Sequence, residues 1–274
     1  MDNSKKLGLK EQLARISPRE KAYQELERGK IIENVAGFIP AGDSTDTSLL
    51  VANLGVYLSR LGYNVCILDA KVFYPSIYKL LDCEANPKGK GLLRTVRSDK
   101  SDFREAIIKT RFDSLYIMST SPLDPMEDFF DVREDDVQRI ISTLKEMFDF
   151  VLIDIPNIPP LEFCYASISS CNLGFVVWSE RIDCPQNTSR LFQFMGSIGI
   201  GVSKFANVII NNQMGFSYDK EIINDMGLRC TAELPYVASA VDCSLDGRVY
   251  ITDSVLIDKR YKKALEKIVE IIIG

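Results

Sequence analysis

A chain of 274 residues with 46% hydrophobic and 26% charged side chains has the composition of a soluble globular protein and is long enough for one large α/β domain. No apolar run approaches the roughly 18 residues that a membrane span requires, and the N-terminus lacks the apolar core of a secretory signal, so we expect a cytoplasmic protein. The formal net charge of −5 gives no general attraction to nucleic acid.

The sequence contains no histidine and seven cysteines. The lack of histidine excludes Ser-His and Cys-His nucleophilic catalysis, a histidine general base and histidine metal sites. The cysteines are scattered, odd in number and form no C-x-x-C pair, which argues against a disulfide framework or a zinc ribbon. Any chemistry must therefore use carboxylates, hydroxyls, lysines or backbone amides.

Residues 1–30 differ in charge from the rest of the chain. They carry eight Lys or Arg against five Asp or Glu, about +3, whereas residues 31–274 carry about −8. Leu9, Leu13 and Ile16 lie at helical spacing and predict a basic helical leader. This leader is either a solvated or loosely docked helix, or a segment that contacts an anionic membrane surface or a partner. We therefore divide the chain into a leader, 1–30, and a domain, 31–274.

From residue 31, short β-branched runs alternate with longer helical segments, a pattern typical of βαβ units. Strands are predicted at residues 33–39, 64–69, 114–119, 149–155, 173–178, 206–212 and 229–235. Helices are predicted at about 46–61, 101–109, 133–147, 186–199, 218–226 and 254–272. The pattern predicts an α/β fold with a doubly wound, mostly parallel sheet of about seven strands flanked by helices. Its ligand crevice is expected at the carboxyl ends of the strands.

Polar side chains follow three of these strands. The first strand leads through GDSTDTS (42–48) into a helix, Asp69 ends the second strand, and Asp154 ends the run FDFVLID. In a P-loop fold the loop amides hold phosphates, a hydroxyl at the helix start coordinates magnesium, and strand-end aspartates organise metal and water. Ser48 and Asp154 have the side chains that a magnesium site needs, and Asp69 and Asp154 are the candidate catalytic residues.

The order FIPAGDSTDTSLLVANLGVYLSRLGYNVCILDA, FDFVLIDIPNIPP, NVIINN and a late ELPY resembles the MinD/ParA family of deviant-Walker ATPases over nearly the whole chain from residue 31. The resemblance implies a P-loop NTPase fold of the MinD/ParA type. The junction Thr47-Ser48 and the segment SPLDPMEDFFDVREDDVQRIISTLKEMFDFVLIDIP are most similar to the CpaE/TadZ pilus-assembly branch, in which the Walker lysine is often a small or hydroxyl residue.

The resemblance also identifies what the loop has lost. The family's loop reads K-G-G-x-G-K-[ST], and in this chain only the final hydroxyl residue matches. Gly42 stands at the signature lysine, Asp43 and Ser44 at two glycines, Asp46 at the third glycine, Thr47 at the Walker lysine, and Ser48 at the matching hydroxyl.

Other positions of the family pattern lie farther along the chain. Asp69 matches the first aspartate of a D-x-D pair whose second position is Lys71, and Asp154 matches the Walker B aspartate. No cofactor is certain, but if ATP or ADP with magnesium binds, the resemblance assigns the contacts. The nucleotide would be held by Gly42, Ser44, Thr47, Ser48 and the adenine-reading Asn211, and the metal by Ser48 and Asp154.

The chemistry of the loop opposes a phosphate cradle. A triphosphate within ~4 Å of an aspartate meets a repulsion on the order of a few kcal/mol per charge pair at an effective dielectric of about 20. No loop lysine offsets it, although Lys71 could reach in from the second strand. We expect hydrolysis to be absent or very slow. Ser44, Thr45 and Asp46 are also good N-cap residues, so a helix start without a ligand explains GDSTDTS equally well.

These features favour a pseudo-ATPase that acts as a cytoplasmic scaffold or localisation factor. The resemblance implies a homodimer that recruits protein partners of a pilus, secretion or other membrane-associated assembly. One alternative is an ATP-binding switch whose dimerisation is controlled by nucleotide. Another is a surface-binding module whose leader contacts a membrane or, less favoured, DNA. The apolar stripe of the last helix, Tyr261, Leu265, Ile268 and Ile272, is interpreted as core packing rather than as a membrane-targeting tail.

Overall fold

The computed structural model describes residues 33–43, 45–84, 91–97, 103–122, 124, 126–158, 161–214, 220–254 and 256–274. The predicted leader at 1–30 and the predicted phosphate contact Ser44 lie outside these residues. Within the described ranges, no helix is both long enough and apolar enough to cross a membrane.

The described residues form one eight-stranded sheet. Its strands are β1 (Val35–Pro40), β2 (Val65–Asp69), β3 (Ile107–Lys109), β4 (Leu115–Met118), β5 (Phe150–Asp154), β6 (Leu173–Trp178), β7 (Asn207–Asn211) and β8 (Arg229–Leu234). The spatial order is β3-β4-β2-β5-β1-β6-β7-β8, and every neighbouring pair is parallel except β3 with β4. The loop after β1 therefore lies near the middle of the sheet, between the strand ends of β5 and β6.

Ten α-helices connect these strands in the part of the chain that is described. They are α1 (Thr47–Arg60), α2 (Ile77–Leu80), α3 (Leu92–Arg97), α4 (Glu134–Met147), α5 (Leu161–Ser170), α6 (Cys184–Ser197), α7 (Glu221–Asp225), α8 (Ala238–Leu245), α9 (Tyr250–Asp253) and α10 (Lys259–Ile273). Short 3-10 turns cover Arg104–Ala106, Met126–Asp131 and Ser203–Phe205.

Two hydrophobic layers enclose the sheet. Side chains of α3 to α7 pack on one face, and side chains of α1 and α8 to α10 pack on the other. Successive residues of each strand point to opposite faces, which is why Ile67 joins one layer while Cys66 and Leu68 join the other. Because both faces are covered, the central strands β1, β2, β5 and β6 are largely continuous apolar runs.

The layers pack tightly against the two central glycines. A Cβ added to Gly37 of β1 would lie 2.4 Å from Cys171 Sγ, and one added to Gly174 of β6 would lie 2.4 Å from the Phe205 ring. Backbone and side chain approach closely here because glycine has no Cβ. Five of the seven cysteines are buried in the core: Cys66, Cys164, Cys171, Cys184 and Cys243.

The structure confirms the predicted fold class and all seven predicted strands. Among the described residues it also shows five helices that were not predicted, α2, α3, α5, α8 and α9, and it corrects one predicted helix. The helix predicted at 101–109 is wrong over its last three residues, which form β3. Ile108 pairs antiparallel with Ile117 of β4, so hydrogen bonding to the sheet edge overrides the local helical pattern. The last helix packs as predicted, with its apolar stripe of Tyr261, Leu265, Ile268 and Ile272 buried against the sheet.

Candidate functional site

The loop between β1 and α1 leaves the sheet at Ala41, whose backbone N–H donates to Val177 O of β6 at 2.9 Å. The loop enters α1 through Asp46, which has a left-handed backbone with φ 45° and ψ 39°. Glycine adopts this region readily, and aspartate does so more often than most other residues. The position where the family pattern has its third glycine therefore keeps a glycine-like conformation although its residue type has changed.

The loop is held by a side chain from β7. Asn211 donates from Nδ2 to the backbone carbonyl of Thr45 at 2.8 Å, and both residues are buried. Thr45 also shares a hydroxyl hydrogen bond of 2.8 Å with Thr47, the residue at the Walker lysine position. The predicted adenine contact Asn211 thus lies against the loop itself, and the buried Thr47 hydroxyl faces Thr45.

The centre of the site is a contact of three side chains from three elements. Ser48 of α1 donates from Oγ to Asp154 Oδ2 of β5 at 2.5 Å. Lys71, just after β2, donates from Nζ to Ser48 Oγ at 2.9 Å, and the same ammonium lies 2.8 Å from Asp154 Oδ1. Asp154 is fully buried, whereas the Lys71 side chain is 21% exposed. The lysine therefore neutralises a carboxylate that would otherwise be a buried, unpaired charge.

Asp69 orders the segment that carries this lysine. Its carboxylate accepts backbone N–H groups from Lys71 at 3.2 Å, Ser76 at 2.9 Å and Ile77 at 3.0 Å. Asp69 lies directly beside Asp154 in the register of β2 and β5. Burial, together with the charge of Asp154, raises the pKa of the Asp69 carboxyl. Of the two candidate catalytic residues, Asp69 therefore contacts backbone amides, and Asp154 contacts Ser48 and Lys71.

The arrangement does not fit the magnesium ion that the fold implies. Magnesium takes oxygen ligands at about 2.0–2.1 Å in octahedral geometry, so neighbouring ligands lie about 2.9 Å apart. Ser48 Oγ and Asp154 Oδ2 are closer than this and share the serine proton. The ammonium of Lys71 contacts both side chains. A proton and an ammonium thus lie where a metal would bind.

The phosphate contacts assigned by the family pattern are spread along the loop. Gly42 is partly exposed, and among the described residues a Cβ there would meet Asn187 Nδ2 at 3.5 Å and Asp183 Oδ2 at 3.9 Å. Space for a side chain therefore exists at the signature lysine position. Asp43 is exposed. The predicted metal ligands Ser48 and Asp154 are brought together, whereas Gly42 and Asn211 contact neither of them in the contacts described.

Two features of this edge were not predicted from the sequence. One is the contact of the Thr45 carbonyl with Asn211, for which no sequence signal exists, because any residue offers a carbonyl. The other is a pocket of about 500 Å³ beside the site, lined by Phe73, Tyr74, Tyr78 and Phe129 together with Lys79 and Asp124. The run VFYPSIY after Asp69 was the available signal, since its aromatic residues follow a strand end.

The sheet order, the helices on both faces and the loop between the first strand and its helix define a P-loop NTPase fold. No protein-family model matches the chain. The chain is similar to the septum site-determining protein MinD of Thermotoga maritima, with 26% identity over 216 residues, 78% of this chain and 76% of that protein.

Solved structures agree with this classification. MinD from Pyrococcus horikoshii, complexed with Mg-ADP, superposes with a TM-score of 0.70 at 20% identity and covers 88% of this chain and 96% of its own. A ParA-family ATPase from Chlorobium tepidum gives a TM-score of 0.70 at 16% identity, covering 88% and 98%. The chain therefore has the MinD/ParA-type P-loop ATPase fold.

Proposed function

We propose that this protein is a MinD/ParA-like pseudo-ATPase of the CpaE/TadZ kind, a scaffold or localisation factor that does not hydrolyse ATP. The observation that carries the proposal is the hydrogen bond from Asn211 to the backbone of the phosphate loop. Asn211, which the family uses to read adenine, is engaged by the Thr45 carbonyl at 2.8 Å. The buried Thr45 carbonyl is thus satisfied by a side chain of the protein itself and needs no nucleotide as a partner.

The charges of the loop support the absence of hydrolysis. No lysine stands between Gly42 and Ser48, and Asp43 and Asp46 place two carboxylates beside the position of a triphosphate. Phosphoryl transfer depends on cationic stabilisation of the transition state, and losing such a group commonly lowers the rate by several orders of magnitude. Lys71, the cation in contact with Ser48, is already paired with Asp154.

The proposed scaffold acts as a homodimer that recruits protein partners of a pilus, secretion or other membrane-associated assembly in the cytoplasm. Exposed apolar side chains follow three strands on the carboxyl edge: Ile158 after β5, Ile182 after β6 and Met214 after β7, with exposures of 45%, 92% and 48%. Apolar side chains on one edge are suited to protein contact. The basic leader, residues 1–30, supplies peripheral contact with an anionic membrane in this proposal.

One observation favours a second candidate, an ATP-binding switch whose dimerisation follows nucleotide binding. Ser48 and Asp154, the two residues that the family uses around magnesium, lie in direct contact at 2.5 Å. If nucleotide displaced Lys71 and the Ser48–Asp154 hydrogen bond opened to the spacing of about 2.9 Å between neighbouring magnesium ligands, these two groups could hold the metal.

Calorimetric titration with ATP and ADP separates the two candidates. Wild type and a Ser48→Ala/Asp154→Ala double variant are titrated in magnesium and again in EDTA, and light scattering measures the molar mass in each state. The scaffold predicts no heat at millimolar nucleotide and a molar mass independent of nucleotide. Micromolar binding that is lost in the double variant, with a change in molar mass, establishes the switch and contradicts the scaffold.

A further inference from the structure

The ammonium of Lys71 has the contacts that a divalent cation would make in this fold. It contacts Ser48 Oγ on α1 at 2.9 Å and Asp154 Oδ1 on β5 at 2.8 Å, and thereby joins the two side chains to which the family pattern assigns the metal. The lysine stands two residues after Asp69, where the family pattern has a second aspartate. A negative side chain has been replaced by a positive one at the point where positive charge is needed.

The position of this ammonium is fixed by its own segment. Asp69 accepts N–H groups from Lys71, Ser76 and Ile77, so the turn after β2 is fastened at both ends to one buried carboxylate. Because Asp69 already orders the backbone of this turn, the contact adds only the ordering of the lysine side chain to the entropy cost.

We propose that Lys71 is a tethered substitute for magnesium, so that this chain has no divalent-cation site at Ser48 and Asp154. Asp154 keeps its negative charge, Ser48 keeps its proton, and the lysine supplies the positive charge covalently. The inference concerns the metal alone. It stands whether or not the chain binds a nucleotide, and so goes beyond the scaffold proposal.

The ammonium also supplies the countercharge that the buried carboxylate of Asp154 needs. Asp154 is fully buried, and a buried carboxylate without a cation is strongly unfavourable. Removal of the lysine charge should therefore create a demand for another cation at the same place. A magnesium ion can meet that demand because the freed oxygens of Ser48 and Asp154 are hard ligands of the type it prefers.

The test uses the full chain, MgCl2 and MnCl2, and no nucleotide. Thermal unfolding and calorimetric titration are compared for wild type, Lys71→Met and the charge-neutral double variant Lys71→Met/Asp154→Asn. Lys79→Met removes an exposed lysine of α2 that does not contact Asp154 and serves as the control. NaCl of equal ionic strength corrects for general screening.

We expect millimolar MgCl2 to leave the Tm of wild type and Lys79→Met unchanged relative to NaCl. Lys71→Met should unfold at a lower temperature, regain much of the loss in MgCl2 and bind about one Mn²⁺ per chain. The Tm of the double variant should not change in MgCl2, and the variant should not bind Mn²⁺, because it lacks the carboxylate.

Two outcomes overturn the proposal. One is Mn²⁺ binding by wild type that matches Lys71→Met in stoichiometry and affinity, because the lysine then excludes nothing. The other is a Lys71→Met variant whose Tm does not rise in MgCl2 and that does not bind Mn²⁺. If Lys71→Met is recovered only as insoluble protein, Lys71→Asp is refolded with and without MgCl2, and equal yields count against the proposal. Nucleotide-dependent dimerisation, by contrast, would contradict only the scaffold proposal.

Discussion

Asn211 at the end of β7 donates a hydrogen bond from Nδ2 to the carbonyl oxygen of Thr45, 166 residues earlier in the chain. The contact joins the loop that follows the central strand to a strand two positions away in the sheet. It connects the backbone of the loop directly to the sheet.

Asn211→Ala should lower the free energy of unfolding by about 1–3 kcal/mol, because the buried Thr45 carbonyl is left without its donor. Denaturant unfolding followed by the fluorescence of Trp178, the single tryptophan, measures the change. Asn224→Ala on the exposed face of α7 is the control and should stay within about 0.5 kcal/mol of wild type. Equal stability of the two variants would mean that the Asn211 contact does not hold the loop.

The left-handed backbone of Asp46 makes a second prediction about the loop. Asp46→Gly should stay within about 1 kcal/mol of wild type, because glycine adopts φ 45° without steric cost. Asp46→Val should be less stable than Asp46→Gly by about 1–2 kcal/mol, since a β-branched side chain is strained in this region. Asp46 is exposed, so the valine meets no packed core. A valine variant as stable as the glycine variant would rule out a left-handed conformation here.

Asp258, the N-cap residue of α10, should make the free energy of unfolding depend on pH in the acid range. Backbone N–H groups of Tyr261 and Arg260 donate to the Asp258 carboxylate and lower its pKa from its ordinary value of 3.8. A depressed folded-state pKa contributes stability that is present above the unfolded pKa and is lost as the pH falls through the folded pKa. Asp258→Ala should therefore cost about 1 kcal/mol at neutral pH and reduce the loss of stability in acid.

Asp258→Asn separates the cap from the charge. Asparagine still accepts the backbone hydrogen bonds, so it should keep most of the stability at neutral pH while removing the acid dependence. Unfolding free energies between pH 2 and 7 measure both effects, with Asp242→Ala on the exposed face of α8 as the control. An Asn variant with the same acid dependence as wild type would assign that dependence to other carboxyl groups.

The proposed dimer predicts a difference between the two edges of the sheet. Ile182, 92% exposed after β6, lies on the carboxyl edge, whereas Leu61, 50% exposed after α1, lies on the opposite edge. Ile182→Glu should weaken self-association about tenfold or more, a change of about 1.4 kcal/mol, because a charge would replace an apolar contact. Leu61→Glu should leave association unchanged. Light scattering over a concentration series measures both, and equal effects would place the interface elsewhere.

Secondary structure was predicted best where apolar strand runs alternate with longer helical segments. All seven predicted strands are present. Six of them are largely buried apolar runs, whereas β8 (RCTAEL) lies at the sheet edge, is partly exposed and carries the weakest pattern. β3 was missed because three residues at a sheet edge carry too short a pattern, and its pairing with β4 decides its conformation. α5 was missed because LEFCYASISS is poor in strong helix formers. Phe163 and Ile168 anchor it in the core, and α5 packs against α4.

For the candidate site, the sequence predicted which residues lie at the carboxyl ends of the strands, but not which side chains contact one another. Ser48 and Asp154 were expected at the same edge because parallel strands finish together, and the structure places them in contact. Lys71 was expected to reach in, but its simultaneous contact with both residues depends on side-chain geometry that no spacing encodes. The Asn211 contact with a carbonyl oxygen is equally invisible in sequence, since every residue carries that acceptor.

The buried cysteines can report local unfolding of the protein, because each thiol becomes reactive only when it is exposed. Burial raises the pKa of Cys171 to about 12, so its thiol reacts only after the surrounding layer has exposed it. Cys164 and Cys171 lie in the layer of α4 to α6, whereas Cys243 of α8 lies in the layer on the other face of the sheet. Rates of thiol modification, resolved by mass spectrometry, would therefore time the local unfolding of each layer separately in the unaltered chain.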